Sequence, residues 1–315
     1  MTGDPTLAFV FPGQGSQSVG MLQDLAEDYP VIRSTFADAS SVLGFDLWAL
    51  VKSGPESRLN ATVNTQPAML AADIAVWRAW ETGGGRLPAL AAGHSLGEYA
   101  ALVCAGAVSF GDAVALVAAR GRCMQEAVAE GAGAMAAILG LDDGHVRDLC
   151  HRAAQGEIVE PANFNAPGQV VIAGLAGAVA RALELARAEG ARRAVMLPVS
   201  VPSHCACMRP AAEKFAAHLD AVAFSDARIP VVQNADACAR TNGKDIKLAL
   251  LAQLHSPVYW VDCIKALRAA GVGTALECGP GKVLTALIRR IDRDLKSAAL
   301  GEPASMREAL AEEAA

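Results

Sequence analysis

Aromatic residues are scarce in this chain, at 5% of 315 residues, although apolar residues make up 53%. A core so poor in rings has to be filled by Ala, Val and Leu on closely packed elements. Long apolar runs are missing as well. No stretch reaches the roughly 18 residues that span a bilayer, and Leu7–Phe11 is too short for a signal-peptide core. A cytoplasmic protein without a membrane partner is therefore expected. Basic runs do not exceed the pairs Arg192-Arg193 and Arg289-Arg290, and the net charge is −6 with a pI near 5.6. That argues against nucleic acid as the main partner, yet an acidic protein could still meet a local basic patch. The eight cysteines are scattered without a C-x-x-C pair, which predicts reduced thiols rather than a disulfide framework. Cys205-Ala206-Cys207 beside His204 lacks a second ligand pair, so no metal is expected. Nothing signals an oligomer, and the chain is read as a monomer.

What is present is an alternation of strand-like and helix-like segments. Leu7–Phe11 reads as a strand, Gln66–Trp80 as an apolar helix closed by Gly83-Gly84-Gly85, Leu87–Ala92 as a strand, and Glu98–Ala107 and Asp112–Ala129 as helices. Such alternation implies a parallel sheet covered on both faces. The middle differs. Strands at Ala134–Leu139, Ile158–Asn165, Gln169–Ala173 and Ala194–Val199 enclose helices at Asp143–Ala153 and Ala178–Glu189. That β-α-β-β-α-β order is ferredoxin-like. The predicted fold class is thus α/β, with a large domain of residues 1–130 and 200–315 and an inserted ferredoxin-like domain of residues 131–199. After the insertion, Pro230–Asn234 and Thr274–Cys278 read as strands, with helices at Pro210–Leu219, Lys247–Leu254 and Trp260–Ala270. The tail from Pro303, rich in Ala and Glu, is expected to be only loosely attached.

Gly93-His94-Ser95-Leu96-Gly97 carries the strongest chemical signal. A G-x-S-x-G pentapeptide between a strand and a helix is the setting of a nucleophile elbow, where the amide after the serine points at the serine oxygen. Ser95-x-x-Glu98 also fits a capping box, in which the serine only satisfies helix amides. The two glycines and the preceding strand favour the nucleophile. A serine needs a base, and of six histidines His204 and His255 lie off polar helix faces and away from the elbow turn. His204 ends a segment stiffened by Pro198 and Pro202, and either packs in the core or serves as the base. Asp112, Asp142, Asp143 and Asp148 fall between serine and histidine, but each sits where a helix cap explains it. No convincing triad acid is seen. Arg120 lies on or beside the stripe Val114, Val117, Gly121, Met124 and Val128, and no carboxylate stands three or four residues away. Its charge requires either a distant carboxylate of the protein or one on a substrate. Gly13-x-Gly15 lacks the third glycine of a dinucleotide fingerprint, and a loop of this kind also offers free amides to an oxyanion.

Phe11-Pro12-Gly13-Gln14-Gly15-Ser16-Gln17, Gly93-His94-Ser95-Leu96-Gly97-Glu98-Tyr99, Arg120, Val201-Pro202-Ser203-His204 and Gln253-Leu254-x-x-Pro257-Val258-x-Trp260 together resemble the bacterial malonyl-CoA:acyl carrier protein transacylases. The resemblance runs from about residue 6 to 295 without a departure in any motif. It implies an α/β-hydrolase-like domain with a ferredoxin-like insertion. It also implies a malonyl transfer from CoA to the phosphopantetheine thiol of holo acyl carrier protein, supplying fatty acid synthesis without a cofactor. Ser95 would be acylated and His204 would be its base. The amides of Gln14 and Leu96 would hold the oxyanion, Arg120 the malonyl carboxylate, and the Gln253 main-chain carbonyl the His204 ring. Asn165 would line the site. The competing readings are a serine hydrolase or thioesterase on the same elbow, and a non-catalytic binding module.

Overall fold

The computed structural model describes residues 4–199 and 201–314, and among these ten strands form two sheets. They are β1 (Asp4–Phe11), β2 (Pro88–Gly93), β3 (Gly133–Leu139), β4 (Val159–Ala166), β5 (Gln169–Leu175), β6 (Arg193–Met196), β7 (Val231–Val232), β8 (Ala239–Arg240), β9 (Thr274–Glu277) and β10 (Lys296–Ala299). The larger sheet has the order β10-β9-β1-β2-β7-β8 and is parallel except for the β7–β8 pair. Its central strand is buried on both sides, which is why Leu7-Ala8-Phe9-Val10-Phe11 reads as a continuous apolar run. Leu7, Phe9 and Phe11 join the core built with helices Thr62–Thr82 and Phe110–Glu126. Ala8 and Val10 join the opposite core, with helices Trp260–Ala269 and Val283–Ile291. No helix among the described residues is long and apolar enough to cross a membrane.

The smaller sheet is antiparallel, in the order β4-β5-β3-β6. Helices Asp143–Ala154 and Ala176–Ala188 complete the chain order β-α-β-β-α-β. The period of two along its strands divides its side chains. Ala136, Ile138, Val170 and Ile172 pack with its own helices. Met135, Val171 and Ala173 belong instead to the core of the larger sheet. Two main-chain bonds tie the sheets, Val258 N–H to the Ala162 carbonyl and Phe164 N–H to the Val258 carbonyl, each 2.9 Å. The Arg290 guanidinium adds bonds to the Gln169 side chain and the Pro167 carbonyl. Ser200, where the second part of the large domain is expected to begin, lies outside the described residues.

Two expectations need correction. The tail is not loose: Pro303–Ala314 is a helix, with Met306 fully buried and Arg307 paired with Asp28 at 2.6 Å. Met306 and Ala309 are three apart and so share the face that meets the main core. Pro303 opens this helix, where its missing N–H costs nothing. The apolar helix also begins a turn earlier than expected, at Thr62, and keeps Pro67 inside it. The Ala61 carbonyl starts this helix by accepting the Thr65 N–H at 2.9 Å.

Candidate active site

The parallel strands β1, β2 and β7 end at one edge of the sheet, and the loops that follow them converge there. Ser95 follows β2 with φ of +52°, a left-handed conformation that is costly for a serine. Its neighbours make room for this turn. A Cβ on Gly97 would stand 2.0 Å from the Phe11 carbonyl oxygen, and one on Gly93 1.9 Å from the Gly97 carbonyl carbon. The serine side chain caps nothing. The helix Gly97–Cys104 has no side-chain cap, and Glu98 instead accepts the Asn234 main-chain N–H at 2.8 Å. Ser95 Oγ lies 2.7 Å from His204 Nε2.

His204, itself at φ of +65°, is held by its ring and its backbone. Its Nδ1 is 2.8 Å from the Gln253 carbonyl, and its N–H donates to the Leu254 carbonyl at 3.1 Å. Gln253 is the last residue of helix Gly243–Gln253, so its carbonyl has no partner within the helix and is free to accept. A carbonyl only accepts, so Nδ1 carries the proton and Nε2 presents its lone pair to the serine. Burial, reinforced by the nearby Arg120 cation and opposed by the Gln253 bond, pushes His204 down to about 3. The ring is therefore neutral and basic at Nε2 at physiological pH. No carboxylate among the described residues hydrogen-bonds it.

Arg120 is 2% exposed and has only amides and a hydroxyl as hydrogen-bond partners. Nη1 donates to Gln66 Oε1 at 3.0 Å, while Nη2 donates to Gln253 Oε1 at 3.0 Å and to Ser95 Oγ at 3.3 Å. Tyr99 lies beneath the guanidinium, 5.6 Å from ring centroid to carbon. No Asp or Glu among the described residues forms an ion pair with it, so a full cation is directed at the serine oxygen without a counter-charge in contact. Gln253 is thus used three times: its carbonyl by His204, its Oε1 by Arg120, and its Nε2 by the Ser95 carbonyl at 2.9 Å.

The loop after β1 completes the arrangement. A Cβ on Gly13 would lie 2.4 Å from the His94 carbonyl oxygen and 3.7 Å from the Leu96 nitrogen, so this loop abuts the elbow. Neither the Gln14 nor the Leu96 main-chain N–H is engaged by an acceptor among the described residues, the Gln14 side chain donating instead to Thr62 Oγ1 at 3.5 Å. A cavity of about 160 Å³ opens beside them, lined by Gln14, His94, Asn165, Gln169 and Leu284 among others. His94 Nε2 is 2.7 Å from Asn165 Oδ1 and its ring packs edge-on to Trp260, so it reaches the smaller sheet rather than the serine. Among the described residues no three of His, Cys, Asp and Glu are grouped to hold a metal. Gln66 and Asn234 carry no local signal in the sequence that marks them as site residues. Each is an uncharged amide whose partners lie more than 50 positions away, a relation that no local spacing reveals.

Comparison with known proteins places this arrangement in context. The acyl transferase domain family matches residues 8–306. The malonyl CoA-acyl carrier protein transacylase of Escherichia coli (strain K12) is 56% identical over 303 residues, covering 96% of this chain and 98% of the relative. The crystal structure of malonyl-CoA:acyl carrier protein transacylase (FabD) from Xanthomonas oryzae pv. oryzae superposes with a TM-score of 0.97 at 52% identity, covering 99% of both chains. A malonyl-transacylase solved in complex with a type II PKS acyl-carrier protein gives a TM-score of 0.96 at 54% identity, covering 97% of this chain and 99% of that one.

Proposed function

The chain belongs to the malonyl-CoA:acyl carrier protein transacylases within the acyl transferase family, and from that premise we propose how its residues divide the work. The enzyme moves a malonyl group from CoA to acyl carrier protein, a step that supplies fatty acid synthesis. One observation carries the assignment of roles. The Ser95 oxygen stands between a neutral histidine nitrogen at 2.7 Å and an arginine nitrogen at 3.3 Å.

In the first half-reaction Ser95 Oγ bonds to the thioester carbonyl carbon while its proton passes to His204 Nε2. The carbonyl oxygen takes up negative charge and accepts from the Leu96 and Gln14 amides, each worth about 3 kcal/mol to the transition state. The carbon–sulfur bond then breaks, and CoA sulfur leaves with the proton from His204. In the second half the phosphopantetheine thiol of the carrier protein gives its proton to His204 and attacks the malonyl-serine ester. Ser95 departs with that proton. Gln253 replaces the acid of a triad: its carbonyl orients Nδ1–H, and the negative end of its helix favours the transient imidazolium. A thiol leaves more easily than an amine, so a neutral dyad suffices and no cofactor is required.

Arg120 selects the acyl group. A malonyl unit has only one methylene between ester and carboxylate, so a cation touching the serine oxygen lies within its reach. Asn165 and the neighbouring cavity form the side from which the thioester approaches. We assign residues 1–130 with 200–315 to the catalytic domain and 131–199 to an insertion, in keeping with the two sheets. Eight free thiols support a cytoplasmic setting. Intact-mass measurement after mixing with malonyl-CoA should show one malonyl adduct, absent from Ser95→Ala. An adduct retained by that variant would refute the assignment.

A further inference from the structure

We propose that Asn234 is a positioning residue for the nucleophile, clamping the elbow from the neighbouring strand. It lies just beyond the carboxyl end of β7 and is fully buried. Oδ1 accepts the Ser95 N–H at 2.6 Å, and Nδ2 donates to the Gly93 carbonyl at 2.7 Å. The partners fix the amide's orientation, since an N–H needs the oxygen and a carbonyl needs the nitrogen. One side chain thus bridges both sides of His94, much as a further strand residue would. Asn234 is itself immobilised through its backbone. Its N–H donates to Glu98 Oε2 at 2.8 Å, and its carbonyl accepts from Tyr259 N–H at 3.0 Å.

The strained serine is what requires such a clamp. A left-handed φ persists only where the surroundings over-determine it. Here Asn234 holds the Ser95 N–H and Gln253 Nε2 holds its carbonyl, so the peptides on both sides are fixed by side chains from two other elements. Because a peptide unit is planar, holding the Ser95 carbonyl also fixes the direction of the Leu96 N–H. Side-chain rotation is then the only freedom left to Ser95, and His204 and Arg120 limit that. Loss of the Asn234 bonds would let the backbone relax toward ordinary φ and move Oγ off the His204 nitrogen.

This inference rests on the acyl-transfer reading of Ser95, and rapid acid-quench mixing with malonyl-CoA tests the two separately. Intact mass gives the fraction of enzyme acylated, the rate constant at saturation and the half-saturating concentration. Asn234→Ala should acylate fully but about 10- to 100-fold more slowly, with half-saturation within about twofold of the original enzyme, as misplacement of a reacting group predicts. Asn234→Asp keeps an oxygen for the Ser95 amide and, when ionised, loses the donor to Gly93. At pH 8 its rate constant should fall between the other two. If Asn234→Ala yields no folded protein, Asn234→Asp decides alone. An unchanged rate constant, or a smaller acylated fraction reacting at the original rate, would overturn the positioning role. An original enzyme that never acylates would instead overturn the acyl-transfer reading.

Discussion

As the proposed base His204 must be neutral to take the serine proton, and the two largest influences that lower its pKa can be separated. Burial is the larger, and the Arg120 cation is the next. Acylation measured against pH should therefore hold its rate well below 6.5, the ordinary pKa of histidine. An acid limb at the ordinary value would contradict a buried, neutral base. Removing the cation in Arg120→Ala should move that limb upward, toward the ordinary value. The same variant tests substrate choice. A carboxylate held by two charged hydrogen bonds gains about 1.5–3 kcal/mol from each, and an acetyl group gains neither. Malonyl transfer should then drop by about a hundredfold or more, with acetyl transfer reduced far less. Equal losses for both thioesters would make Arg120 a structural residue. In the free enzyme the amide oxygens of Gln66 and Gln253 accept from Nη1 and Nη2 without neutralising the cation, and the buried Nε is left without a hydrogen-bond partner.

At the scale of elements, the elbow depends on three backbone segments meeting where side chains would collide. The Gly97 Cα faces the end of β1, and the opposing atom is a carbonyl oxygen rather than a side chain that can swing aside. Gly97→Ala is therefore expected to exceed the ~1–3 kcal/mol of ordinary overpacking, read as a lowered denaturant midpoint and a lower yield of folded protein. A midpoint equal to that of the original chain would show slack at this crossing. Such crowding is legible in sequence because strand, glycine, serine, glycine and helix occur in order within a few residues. The alternating and continuous apolar runs of β1, β3 and β5 are legible for the same reason, since local periodicity encodes them. Less was legible where the stabilising contact is remote. Lys296-Ser297-Ala298-Ala299 has little strand character of its own and becomes β10 by pairing with β9. The terminal helix looks like a solvated Ala/Glu tail until Met306 is seen in the core. Gln66 and the side chain of Gln253 belong to the site only because the fold brings them to Arg120 from 54 and 133 positions away.

For the molecule as a whole, the question is whether the two sheets behave as one cooperative body. The antiparallel sheet has a private core on the face bearing Ile172, yet its other face, with Met135, Val171 and Ala173, is continuous with the main core. Backbone bonds at Val258 and the His94–Asn165 contact join the sheets beside the serine. Shared apolar packing on a whole face favours a single transition over separate ones. Ile172→Ala tests this, because it removes about 2–5 kcal/mol of packing from the private core alone. The four tryptophans all lie outside residues 131–199, but Trp260 packs with Ala166 of β4, so in a Trp260→Phe background the remaining Trp48, Trp77 and Trp80 report on the core of the larger sheet. If the molecule unfolds as one, the denaturant midpoint by tryptophan fluorescence should fall as far as the midpoint by far-ultraviolet circular dichroism. A dichroism change that precedes an unshifted fluorescence transition would mean that the inserted sheet opens alone. The cavity between Gln14 and Asn165 would then be bounded on one side by a unit that unfolds without the elbow, and acylation would fail before the larger sheet melts.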